Sequence, residues 1–173
     1  MRLALSLALF VALPVAGFAG GDETAPPKPA VKCDSGFVYD EKTKKCVSAT
    51  NHRLDVDTLY QAVRALSYEG RYADAQAVLA AMPAEDDRTL TYMGFTHRKM
   101  GQTDVAMAYY ARALDRNPAN VLARSYMGQG FVEAGNIAAA LDELRAIRAH
   151  GGTGTWAEAS LRTAIATGQT FNW

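Results

Sequence analysis

The sequence predicts an all-α fold: a helical-repeat superhelix of about three helix–turn–helix units and a C-terminal capping helix, preceded by a short disulfide-closed hairpin. Three observations carry this. The middle of the chain falls onto its own end when shifted by 34 residues, and self-similarity at such a period marks stacked supersecondary units. Each unit reads as two apolar-periodic segments around a central glycine. Two cysteines, Cys33 and Cys46, stand ahead of the repeats and outside their period.

The 173 residues leave room for one modest domain plus accessory segments. Lysine plus arginine and aspartate plus glutamate balance at 18 each, so no basic excess exists to neutralise phosphates. Nucleic acid is therefore not an expected partner.

The chain begins with an apolar run from Leu3 to Val15, interrupted only by Ser6 and Pro14 and preceded by Arg2. Gly17 and Ala19 flank Phe18 with the small residues that a signal peptidase reads. Residues 1–19 are thus expected to be a cleavable export signal, and the mature chain to be periplasmic or secreted, without a membrane span. Residues 20–32, with Ala25-Pro-Pro-Lys-Pro-Ala30, read as a flexible linker.

Export makes a Cys33–Cys46 disulfide the expected state of the pair. The β-prone Phe37-Val38-Tyr39 followed by a polar turn suggests a hairpin over 33–46, closed across its mouth. Redox motifs want two intervening residues, and a metal site wants more ligands than the lone His52 nearby. Val47 to Arg53 separate this staple from the helices, so the helical part is expected to fold without it.

In the 34-residue register, Met93-Gly94 meets Met127-Gly128, Gly101 meets Gly135, Ala106 meets Ala140 and Tyr110 meets Leu144. A 31-residue shift extends the pattern backwards: Gly70 meets Gly101, Ala75 meets Ala106, Leu79 meets Tyr110 and Met82 meets Ala113. The units lie near 56–86, 87–120 and 121–152, the first shortened around Pro83. Gly101 stops a helix as a left-handed cap would, and Asn117-Pro118 ends the next. Gly94 and Ala106 are the small residues that let paired helices approach. Thr155-Trp-Ala-Glu158 has capping-box form, and Ala157, Leu161, Ala164 and Ile165 make one apolar stripe. A capping helix over 155–168 is expected, completing a helical domain over 54–168.

This arrangement, with Leu90, Met93, Gly94, Gly101, Ala106, Tyr110, Ala113 and Pro118 at their positions, resembles the tetratricopeptide repeat family. The resemblance implies a right-handed superhelix whose first helices line a groove for peptides or partner helices. The groove-facing candidates it implies are Tyr60, Arg64, Tyr68, Arg88, Phe95, Arg98, Lys99 and Gln129. A basic and aromatic surface of this kind would take a protein or peptide partner carrying acidic residues.

No glycine-rich phosphate loop, zinc-type spacing or nucleophile elbow is found. The three histidines at 52, 97 and 150 are scattered, and His97 falls on the packed face of its helix. No cofactor or metal, and no catalysis, is expected. The expected function is that of a periplasmic scaffold or adaptor acting through the groove. The alternative is a cell-wall or glycan-binding module that uses the hairpin and its Tyr39.

Overall fold

The computed structural model describes residues 27–29 and 31–171. The expected export signal and the first part of the linker lie outside the described residues. A hairpin of β1 (Phe37–Asp40) and β2 (Lys45–Ser48) precedes seven helices: α1 (Val56–Tyr68), α2 (Tyr72–Leu79), α3 (Asp87–Lys99), α4 (Thr103–Arg116), α5 (Val121–Glu133), α6 (Ile137–Ala149) and α7 (Trp156–Thr167). α1 packs on α2, α3 on α4 and α5 on α6, while α7 lies against both α5 and α6.

Local chemistry sets the helix limits. Side-chain oxygens of Asp55, Asp86, Asn120, Asn136 and Thr155 accept from the first free amides of α1, α3, α5, α6 and α7. At the other end, the chain leaves α1, α3 and α5 through Gly70, Gly101 and Gly135, whose φ angles are +75°, +80° and +74°. Each forms the same double closure: at α3, Gly101 N–H donates to the Arg98 carbonyl and Gln102 N–H to that of His97, both at 2.9 Å. Two carbonyls left over by the helix are satisfied and the chain is reversed into the next helix.

α2 spans only eight residues, against fourteen in α4, which is where the first unit is short. At α7 the capping box is altered. Thr155 accepts from Glu158 N–H, but the Glu158 carboxylate bonds Gly154 N–H at 2.8 Å and Arg148 at 2.6 Å rather than the amide of Thr155.

The close helix contacts fall where the small residues stand. A Cβ on Gly94 would lie 2.5 Å from Cε1 of Tyr110, so α3 and α4 touch through that ring. In the next unit Leu144 replaces Tyr110, and it is Leu161 of α7 that presses on Gly128, 2.7 Å from where a Cβ would be. α7 therefore fills a seat in the third unit as well as covering it.

The disulfide joins Cys33 and Cys46, with Cα atoms 5.8 Å apart. Cys46 pairs across the ladder with Tyr39, so the bond ties the lead-in to β1 onto β2 rather than closing two facing strand residues. The separation expected between hairpin and helices is corrected by the packing. Strand alternation turns Val38 inward, and it is buried with Ala49 in the same apolar cluster as Leu59, Val63 and Leu66 of α1. Arg71 also donates to the Cys33 carbonyl at 3.1 Å.

Candidate protein-binding face

α1, α3, α5 and α7 lie side by side in that order. Aromatic rings join them in a ladder. Tyr60 meets Tyr92 edge-on at 5.6 Å between centroids, Tyr92 meets Tyr126 at 6.1 Å, and Tyr126 meets Trp156 at 6.0 Å. Phe95 packs beside this line, 4.7 Å from Tyr126 and 6.1 Å from Tyr72 of α2. Edge-to-face contacts of this kind add to the burial of the rings.

The eight residues expected to face a groove divide into two groups. Tyr68 is exposed, and Arg64, Arg88 and Lys99 are partly exposed. Phe95 and Gln129 have no exposure, Arg98 has 4 % and Tyr60 6 %, so these four are packed inside rather than displayed. The cause is the neighbouring first helices, whose side chains close over positions that an isolated helix would leave open. Arg88 is likewise occupied, with Asp57 at 2.8 Å, Asp86 at 3.3 Å and the Tyr60 ring beneath its guanidinium.

Arg98 is the unusual member. Its guanidinium is buried, with Nη1 donating to Glu133 of α5, while Nε and Nη2 make no hydrogen bond. Burial opposes its charge, but the neighbouring Tyr110 hydroxyl and Glu133 carboxylate outweigh that and hold its pKa above the usual value. Burial pushes Tyr110 up to about 12. For Glu133, burial raises and the Arg98 charge lowers, with the net below the ordinary carboxylate value. Burial and the adjacent Arg98 charge depress Lys99, whose ammonium lies 5.9 Å from the Phe95 ring centroid.

His97 is half-buried, stacked on Tyr109 and bonded to Gln102, and so is less enclosed than its helical position suggests. Among the described residues no group of three histidine, cysteine or acidic side chains is placed to hold a metal ion, and no helix is long and apolar enough to cross a membrane.

Beyond α7 the chain returns to this face. Gly168, at φ +75°, ends the helix. Thr170 then donates its hydroxyl to Glu133 at 2.6 Å, and Phe171 N–H donates to Gln129 Oε1 at 2.8 Å. The Phe171 ring meets Trp156 edge-on at 6.4 Å and extends the ladder by one rung. Sequence reasoning missed Tyr92, Tyr126 and this return. The two tyrosines carry a signal, since they stand 34 residues apart, but Thr170 and Phe171 lie beyond the period and carry none.

Residues 97–165, from the last turn of α3 into α7, match a family model described as tetratricopeptide repeat. Comparison with curated proteins and with solved structures found no match. Members of the matched family typically mediate protein–protein interaction and are not catalysts. Paired helices in a row, glycine reversals between them and the small-residue contacts at Gly94 and Ala106 agree with that match, and tetratricopeptide repeats form this part of the chain.

Proposed function

We propose that the chain is an exported adaptor, periplasmic or secreted, that holds an extended or helical segment of another protein along the face of α1, α3 and α5. One observation carries the reading. A non-helical stretch, residues 169–171, already lies on that face, with its hydroxyl and amide satisfied by Glu133 and Gln129. Side chains that satisfy foreign backbone are what a peptide-binding face requires. The disulfide supports an oxidising compartment. Arg64 and Lys99, both partly exposed, would steer a segment with acidic residues.

Crosslinking in intact cells followed by mass spectrometry identifies the partner. Replacing Arg64 and Lys99 with glutamate should then lower its capture several-fold while the helical melt stays in place. Undiminished capture by that variant would remove this face from the function.

A second reading rests on a cleft of about 310 Å³ between the hairpin and α1, lined by Phe37, Tyr39, Glu41, Gln61 and Arg71 among others. Aromatic faces beside polar side chains suit a glycan, so the cleft supports a cell-wall-binding role. Retention on purified cell wall that disappears with Tyr39→Ala and Phe37→Ala would favour it over the adaptor.

A further inference from the structure

We propose that residues 169–171 are a built-in, displaceable plug on the partner-binding face, and that they mark the motif a partner must carry: a serine or threonine followed by an aromatic residue in a non-helical segment. This deepens the adaptor reading and rests on it.

The plug is held by a receptor already in place. Gln129 is fully buried, and its Nε2 donates to Ser125 Oγ at 3.3 Å, while Ser125 shares a hydrogen bond with Ser160 of α7 at 3.0 Å. That chain fixes the amide so that Oε1 points at the incoming backbone N–H. Glu133 is fixed in the same manner by buried Arg98 and presents its carboxylate to a hydroxyl. Trp156 is braced by Tyr126 and offers its ring to the final aromatic. Backbone amide, hydroxyl and ring are thus each matched by a positioned group, and such preorganisation lowers the entropic cost of binding.

The same geometry explains why a replacement must resemble the plug. Lifting residues 169–171 away would take from Gln129 Oε1 the donor it has here and leave only water to replace it. A partner that brings back an N–H, a hydroxyl and a ring restores all three contacts, whereas a purely acidic or aliphatic segment restores fewer. Among the described residues the plug is held by two hydrogen bonds and a ring contact through a partly exposed phenylalanine. Its tether from Gly168 is short, so its effective concentration is on the order of millimolar. A partner competes with that, and its apparent affinity falls by the unplugged fraction.

The test is an NMR titration of the full chain and of Phe171→Ala with the end-blocked peptide Thr-Gly-Gln-Thr-Phe. The variant should bind about tenfold more tightly than the unaltered chain if the plug is seated nine-tenths of the time. The Gln129 side-chain amide signals should move, and peptides with valine for the second threonine or alanine for phenylalanine should bind weakly. Thr170→Val provides the same comparison should Phe171→Ala disturb the helical melt. Equal affinities, or no binding to a folded variant, would overturn the plug. A crosslinked partner that depends on Arg64 and Lys99 but is indifferent to Phe171→Ala would leave the adaptor reading standing and sink this one. Loss of dependence on both would sink both.

Discussion

Arg98 and Glu133 show how one substitution pair separates two physical effects. Arg98 is buried, and among the described residues its guanidinium donates to Glu133 alone. Glu133→Ala strands the guanidinium, at a cost of about 1–3 kcal/mol. Arg98→Met removes the buried charge along with its need and keeps most of the volume, so it should cost less. Urea unfolding of the two variants decides the order, and the reverse order would mean that Arg98 is stabilising through more than this pair. The pH dependence has a definite sign. The folded pKa of Glu133 is below its unfolded value, so its contribution is present above about pH 4.5 and is lost as pH falls through the lower folded value. Stability curves of the unaltered chain and Glu133→Gln should therefore converge in acid. Tight packing gives a second residue-scale contrast. Ala106 is fully buried at the α3–α4 seam and Ala111 is exposed on the same helix. Ala106→Leu should cost about 1–3 kcal/mol and Ala111→Leu no more than about 0.5. Similar thermal melts would contradict that register.

Among the elements, the hairpin depends most on its neighbour. A single inward residue, Val38, and Ala49 give it a foothold in the cluster of α1, and the disulfide confines the rest. In the chain-entropy model a loop of this size stabilises by about 3 kcal/mol. Cys33→Ser with Cys46→Ser should therefore lower stability by about that amount and raise amide exchange in α1 and α2, leaving α5 to α7 nearly unchanged. Exchange unaltered in α1 would show that the docking contributes nothing. The helical repeats were legible because the signals are local and recur: glycine reversals at Gly70, Gly101 and Gly135, small residues at Gly94 and Ala106, and a breaker at Pro118. The hairpin's docking was not, since one valine in a four-residue strand cannot be told from an ordinary alternation. The candidate face was less legible. Helical projection put Phe95, Arg98 and Gln129 in a groove, whereas all three are buried, enclosed by neighbouring elements that a single helix does not contain.

At the scale of the whole molecule the question is whether the array melts stepwise or together. Each helix pair contacts chiefly its neighbours, and a linear array of that kind has stability summed from units and their interfaces. Two features oppose independence. The ring ladder from Tyr60 to Phe171 crosses every first helix, and α7 supplies both the seat at Gly128 and the Ser160 bond to Ser125. Leu161→Ala tests the balance. Leu161 is fully buried, so its truncation should cost about 2–5 kcal/mol, more if the space beside Gly128 fails to collapse. In the nearest-neighbour limit amide exchange should rise first in α5 to α7, then in α3 and α4, with α1, α2 and the hairpin least affected. A single transition with equal exchange in every helix would show that the ladder couples the units into one cooperative body. The seating of Thr170 and Phe171 on α5 would then report on the state of the whole chain rather than on its last repeat alone.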